Sequence, residues 1–265
     1  MTELNIDIND HIMLITLNRP DIHNAISHKS MIDEILEAIS IANQDKSIRA
    51  VILTGAGKSF CAGGNVKDMR DKTDMFSGDA IAIEQGYKQG IQRIPLAFAS
   101  LEVPIIAAIN GAAVGAGFDM TMMCDIRIAS ESARFAESFV KLGLIPGDGG
   151  AWFLPRKIGP ARAAQMALTG AMIDAKTALD WGIISEYLSP EKLLPRAWQI
   201  AKDIAQNPPL AVRQTKKLLQ QSETLSLESM LDLCAKTQAQ LHQTNDHLEA
   251  VNALLEKRQG HFHGR

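Results

Sequence analysis

Cysteine is scarce: Cys61, Cys124 and Cys234 are the only three, they lie far apart, and their number is odd. That excludes a disulfide framework and suits a reducing compartment. Charge of one sign is lacking as well. The net charge is −3, with no basic block to grip nucleic acid and no acidic tail to drive disorder. There is no long uninterrupted apolar run. The longest low-charge stretch, residues 94–118, has Glu102 as its only charge but is broken by Pro95, Pro104, Asn110, Gly111, Gly115 and Gly117, so it cannot form one membrane helix. Residues 1–10 carry acidic and polar groups where a secretory leader needs a basic and then an apolar segment. No repeat or low-complexity tract is found. These absences point to a cytoplasmic protein without membrane or nucleic-acid partners.

What remains is an ordinary globular composition, 265 residues of which 46% are hydrophobic, enough for a large core without staples. Residues 4–8 and 12–17 alternate apolar and polar side chains around Asp10, which predicts an antiparallel strand pair. Met31, Ile35, Ile39 and Ala42 recur at helical spacing over residues 30–43. Two short buried runs, 50–54 and 104–109, each lead into a glycine-rich turn and then helix-compatible sequence, which predicts stacked β-turn-α units. Residues 71–80 are polar and aperiodic, which predicts a mobile loop beside a substrate. From about Ala161 onward helical patterns take over, at 161–168, 175–181, 192–205, 209–220, 227–241 and 247–257.

The first glycine turn, residues 59–67, contains Cys61, Ala62, Gly63, Gly64, Asn65, Val66 and Lys67; the second runs from Asn110 to Asp119 through Gly111, Gly115, Ala116 and Gly117. Adjacent glycines open backbone angles closed to other residues and admit a ligand closely. At a helix start, free N–H groups point outward and the dipole favours negative charge. Two facing turns, each giving one N–H to one oxygen, form an oxyanion hole. Tight strand–helix packing is the plainer explanation for either turn alone. Gly57-Lys58-Ser59 resembles half of a phosphate loop, but Ile52 stands where that pattern needs glycine, and Gly111, Gly115 and Gly117 miss the dinucleotide spacing.

At this level the chain resembles the crotonase superfamily, the enoyl-CoA hydratase/isomerase family. The resemblance rests on Leu17-Asn18-Arg19-Pro20 with Asn24-Ala25, on residues 59–69, 104–125, 134–150 and 178–184, and on Glu256-Lys257-Arg258 with Phe262 and Gly264-Arg265. It implies an α/β fold: a crotonase-like spiral of repeated β-β-α turns in residues 1–200, which would carry an acyl-CoA site. A helical C-terminal trimerisation region, 201–265, would follow. The implied assembly is a homo-oligomer, a trimer or a dimer of trimers. The implied ligand is an acyl-CoA thioester, with coenzyme A entering as part of the substrate, and no further cofactor or metal.

Carried over by position, the resemblance puts the oxyanion donors on the amides of Gly64 and Ala116. The family usually has glycine at the second place, and alanine keeps the N–H. Coenzyme A contacts fall on His23, Asn24 and Ala25. Ala62 flanks the thioester, with Gly63, Asn65, Val66 and Lys67 beside it. Family hydratases hold the attacking water between two glutamates. Here those positions are Asp119, one methylene shorter, and Phe139, which can do no acid–base chemistry. Asp148, in Pro146-Gly147-Asp148-Gly149-Gly150, is the replacement candidate. Double-bond isomerases of the family carry one acid/base a position earlier, where Gly147 stands. The implied activity is therefore enoyl-CoA hydration, with single-carboxylate double-bond isomerisation or thioester hydrolysis as alternatives, and a non-catalytic acyl-CoA-binding protein as the alternative of another class.

Each carboxylate has a structural explanation as well: Asp119 as a brace for its helix, Asp148 as an N-cap for a helix over 149–156. Arg127, Glu131 and Glu137 read as structural or surface charges, and Cys61 as a small packing residue. Met120, Met122 and Met123 read as core. His261 and His263 belong to a C-terminus expected to fray, and His242 and His247 are spaced poorly for chelation on one helix. Lys257, Arg258 and Arg265 either hold coenzyme A phosphates or are a solvated helix end.

Overall fold

The structure is a computed structural model and describes residues 2–265. The chain opens with the expected antiparallel pair, β1 (Leu4–Asn9) and β2 (Ile12–Leu17), joined through Asp10 and His11, both at positive φ. Helix α1 (Lys29–Gln44) buries Met31, Ile32, Ile35, Ala38, Ile39 and Ala42, the stripe that the spacing predicts. The chain then winds in repeating turns. The first contains β3 (Ala50–Gly55), β4 (Ser59–Cys61), α2 (Val66–Asp71), a single turn at Asp74–Phe76, α3 (Ala80–Gln89) and α4 (Arg93–Ser100). The second contains β5 (Ile105–Ile109), β6 (Ala112–Val114) and α5 (Ala116–Met123). The third contains β7 (Ile126–Ser130), β8 (Arg134–Ala136), a turn at Phe139–Leu142, α6 (Gly150–Ile158) and α7 (Pro160–Thr169). After β9 (Met172–Asp174), α8 (Ala175–Trp181) and β10 (Glu186–Leu188) come the helices α9 (Pro190–Ala205), α10 (Pro209–Gln221), α11 (Leu227–Leu241) and α12 (Asn245–Glu256).

Each winding adds one strand to a six-stranded sheet, β1-β2-β3-β5-β7-β10, and one to a four-stranded sheet, β4-β6-β8-β9. Apart from β1 and β9 every neighbour is parallel. The larger sheet is covered on both faces, which is why its central strands read as continuous apolar runs. Val51, Leu53, Ile105 and Ala107 face the main core with α1, α4 and α5. Ala50, Ile52, Ile106 and Ala108 face α9, whose Leu193, Ala197, Ala201 and Ala205 recur every four residues and let it approach the strands closely.

Residues 71–80, expected as a mobile loop, instead close α2, form the turn at Asp74–Phe76 and cap α3 through Asp79, whose side chain accepts from the Ala82 N–H at 2.9 Å. Helices α3 and α4 have short apolar stripes and were not anticipated from the sequence. Helix α10 is bolted to the core by two buried cations: Arg213 donates to the Ile48 carbonyl at 3.1 Å, and Lys216 to the Val103 carbonyl at 2.9 Å. The C-terminal tail does not fray. Asp246 accepts the N–H groups of His263 and Gly264 at 2.8 and 2.7 Å, and Arg49 donates to the Phe262 carbonyl at 2.7 Å. His242 and His247 lie on either side of the turn between α11 and α12, with ring nitrogens 3.0 Å apart. Among the described residues no helix is long and apolar enough to cross a membrane.

One buried side chain ties the first loop to the first glycine turn. Asn24 is fully buried; its amide donates to the carbonyls of Ala56, Ser59 and Phe60 at 3.0, 2.9 and 3.1 Å, and its oxygen accepts the Arg19 N–H at 2.8 Å. Asn24→Ala would leave three carbonyls and one amide without that partner. Denaturant unfolding should show a loss of about 2–3 kcal/mol or more, and an unchanged midpoint would mean that water replaces the amide.

Candidate active site

Strand β4 delivers the chain into the first glycine turn beside residues 23–27. The Ala62 N–H donates to the His23 carbonyl at 3.0 Å, and the Ile26 N–H to the Gly63 carbonyl at 2.9 Å. The Asn65 N–H donates to Ser27 Oγ at 2.5 Å, and the Asn65 side chain caps α2 through the Lys67 N–H. The parallel pairing of β4 with β6 sets the second turn alongside, with Ser59 opposite Ala112 and Cys61 opposite Ala113. Glycine is required where the turns touch. A Cβ on Gly63, at φ +83°, would lie 2.6 Å from the Val114 carbonyl oxygen and 3.1 Å from the Ala116 nitrogen. One on Gly117 would lie 2.2 Å from the Cys61 carbonyl oxygen.

Gly115, at φ +53°, turns the chain from β6 into α5 and anchors by donating to the Ala136 carbonyl at 2.9 Å. Ala116 is then the first residue of α5, a position whose N–H has no acceptor within the helix. Among the described residues neither the Ala116 nor the Gly64 amide donates to the protein. Both lie in turns held by the hydrogen bonds of their neighbours.

Gly64 lines a small cavity of about 20 Å³ together with Ser27, Phe76, Tyr87, Phe139 and Asp148. Two larger cavities, of about 690 and 650 Å³, lie by α10 and by the C-terminal tail and hold none of these groups. Asp119, Glu137 and Asp148 are all buried, and no cation is hydrogen-bonded to any of them among the described residues. Asp119, in the first turn of α5, accepts the Gly150 N–H at 3.0 Å on Oδ2 and has no partner on Oδ1. Glu137 follows β8 with neither oxygen partnered, and Asp148 Oδ1 is also without a partner. A Cβ on Gly150 would lie 2.1 Å from Glu137 Oε1 and 2.3 Å from Asp119 Oδ1, so both carboxyls converge on that glycine.

Burial dominates their proton affinities, because removing a carboxylate from water disfavours its charge. It pushes Asp148 up to about 6. Asp119 and Glu137 are held well above the ordinary carboxyl range, first by burial. For Glu137 the negative charge of Asp119 adds to that, while the bond between the two carboxyls favours the charged form of Asp119. The pair therefore keeps a proton that an exposed pair would lose. Burial also raises the Tyr87 phenol, and the nearby Asp148 charge adds to it.

The structure brings Gly64, Phe139 and Asp148 to one cavity, sets the Ala116 nitrogen against Gly63, and buries Asp119. The Phe139 ring lies against Gly115, 3.6 Å from where a Cβ there would stand. Asp148 does not cap α6: Gly149 holds that position without a side-chain bond, and Asp119 braces the helix through Gly150 instead. The Asn24 side chain is wholly engaged by backbone, so its part in the loop is to hold His23 and the buried Ala25 in place; His23 Nδ1 lies 3.2 Å from Ser59 Oγ. Val66 and Lys67 are exposed on α2. Cys61 is a packing residue, its thiol pushed up to about 12 by burial. Arg258 is engaged by Glu249 and Glu256. Arg127 is structural, donating to the carbonyls of Ile183 and Cys124, each at 2.6 Å. Two carboxylates, Asp68 and Asp74, flank His28, with oxygens 3.8 and 3.4 Å from its ring nitrogens.

Glu137, expected to be a structural or surface charge, is not at the surface: it is fully buried and converges with Asp119 on Gly150. The available signal was its place two residues after the buried Phe135, since strand residues two apart share a face. Ser27, which lines the cavity and accepts from Asn65, carried no such signal.

Two free amides near buried carboxyls, on the stacked β-β-α windings of a crotonase-like fold, suit acyl-thioester enolate chemistry. The profile of the family described as Enoyl-CoA hydratase/isomerase matches residues 7–265. The 1,2-epoxyphenylacetyl-CoA isomerase of Escherichia coli is 37% identical over 255 residues, 96% of this chain and 95% of that protein. A probable enoyl-CoA hydratase of Rhodobacter capsulatus is 35% identical, over 98% of this chain and 97% of its own. The crystal structure of an enoyl-CoA hydratase from Bacillus anthracis superposes with a TM-score of 0.93 at 32% identity, covering 99% of this chain and all of that one. The chain belongs to the enoyl-CoA hydratase/isomerase family and is an enzyme of the hydratase/isomerase type.

Asp148 has a folded pKa above its unfolded one, so its neutral form favours folding at low pH. That contribution is complete below about pH 4 and is lost as pH rises through about 6. Asp148→Asn should therefore unfold with a shallower loss of stability between pH 4 and pH 8, by roughly 3 kcal/mol. Parallel slopes in denaturant titrations at the two pH values would show that Asp148 is not desolvated.

Proposed function

We propose that the protein adds water across the C2–C3 double bond of an enoyl-CoA thioester. The observation that carries this reading is the conjunction of two unengaged amides, Gly64 and Ala116, in touching turns, with the buried carboxyl of Asp148, which lines one cavity with Gly64. The amides hold the thioester oxygen as it gains charge, where each such donor is worth about 3–4 kcal/mol in the transition state. Asp148, raised to about 6, is ionised at neutral pH yet basic enough to take a proton from water attacking C3. Asp119, in the group that keeps its proton, delivers one to C2. Proton transfer and enolate stabilisation need only these amides and carboxyls, so coenzyme A, as part of the substrate, is the sole cofactor in this scheme.

One observation favours a second reading, a double-bond shift from C3 to C2: Asp148 lines the cavity with Gly64 and Asp119 does not. A single carboxylate there can take a proton from C2 and return it at C4. In either reaction the protein works as a homo-oligomer in the cytoplasm. Its support is the row of exposed leucines on α11 and α12, Leu227, Leu231, Leu248, Leu254 and Leu255, an apolar surface that a second copy would cover.

Crotonyl-CoA hydration, followed as loss of the enoyl-thioester absorbance, and isomerisation of a 3-enoyl-CoA separate the two readings. Asp148→Asn should lower kcat by about 10²–10⁴ with KM little changed. Ala116→Pro removes one amide hydrogen at a helix position that tolerates proline, and should cost about 10²–10³ in kcat while the protein stays folded. Turnover within about threefold of wild type in Ala116→Pro would rule out the amide pair as the oxyanion hole.

A further inference from the structure

One buried carboxyl takes no part in the chemistry above. Glu137 has no exposed surface, no hydrogen-bond donor on either oxygen, and faces Asp119 across Gly150. The titratable groups that bear on the two are Asp148, from the turn before α6, and each other; Tyr87, on α3, bears in turn on Asp148. The one fixed donor is the Gly150 N–H on Asp119 Oδ2. Two carboxylates side by side in a low dielectric, with no cation between them, do not both ionise near neutral pH. The Gly150 amide favours the anion on Asp119, which leaves the proton on Glu137, hydrogen-bonded toward the otherwise unpartnered Asp119 Oδ1.

We propose that Glu137 is a positioning residue that stores the second proton of the reaction: Asp119 and Glu137 share one proton, which leaves through Asp119. The inference rests on the hydration reading and supplies the acid missing at Phe139. In the forward step water oxygen bonds to C3 and one water O–H bond breaks, its proton passing to Asp148. The C2 carbon of the enolate takes the shared proton, and the thioester carbonyl re-forms. Asp148 is then neutral and the pair has lost its proton. Transfer of the proton from Asp148 back to the pair restores the starting state, so atoms and charge balance over one turnover.

Difference infrared spectroscopy of the full-length protein across a pH series reads the shared proton directly. Wild type should retain the carbonyl stretch of a protonated carboxyl at pH 8, and Glu137→Gln should lose it. Glu137→Asp, which keeps a carboxyl, should retain it. In hydration assays Glu137→Gln should lower kcat about tenfold or more, leave KM within about threefold, and move the alkaline limb of the kcat profile about one pH unit toward acid. An alkaline limb in its wild-type place, with the loss confined to KM or to thermal stability, overturns the proposal. Because the infrared band needs no turnover, its absence from wild type also overturns the proposal even where hydration is fast. Its loss in Glu137→Gln supports the shared proton even if wild type hydrates nothing.

Discussion

The close approach of two backbone turns is the constraint on which the rest depends. Gly63 lies against Val114 and Ala116, and Gly117 against the Cys61 carbonyl, at separations that leave no room for a Cβ. The approach is imposed by the pairing of β4 with β6, short strands that hang off β3 and β5 of the larger sheet. Two amides are thereby set beside one cavity without the chain spending them on itself. Free backbone donors at a dry site are strong electrostatic groups because they need no reorganisation when charge develops.

Burial then does double duty around that hole. The same packing that seats Phe118, Phe135 and Met120 in the core strips water from Asp119, Glu137 and Asp148. Among the described residues no cation compensates them, so burial costs stability and moves their proton affinities toward neutral pH. Asp119 links the two tasks: its Oδ2 fixes the start of α6 through Gly150, while its Oδ1 is left to the neighbouring carboxyl. The brace leaves one Asp119 oxygen unspent, so the structural and catalytic explanations of Asp119 are not exclusive.

The covering elements work on a different principle. Residues 71–80 look structureless in sequence because no apolar period runs through them, yet Met75 and Phe76 turn inward and line the cavity beside Tyr87. The Phe76 and Tyr87 rings meet edge to face with centroids 6.3 Å apart. Lys72 and Asp74 adopt positive φ there, conformations that only long-range packing makes worthwhile.

Local pattern was sufficient for much of the molecule. The alternation of β1 and β2, the stripe of α1, the buried runs of β3 and β5, the glycine turns, and six C-terminal helices were all legible, because each is a period or a backbone requirement written over a few neighbouring residues. The family resemblance, carried over by position, pointed to the amides of Gly64 and Ala116 and to Asp119 and Asp148. Asn24 was legible as a motif but not in its role, since its four partners lie up to 36 residues away. Glu137 was not legible as a site residue at all. A carboxylate after a strand is ordinarily solvated, and only the packing of α5, from another winding, and of α6 buries this one beside Asp119 at Gly150. Which charges lose their water is a property of the assembled fold, and here the fold decided that Asp119, Glu137 and Asp148 are the carboxyls that do.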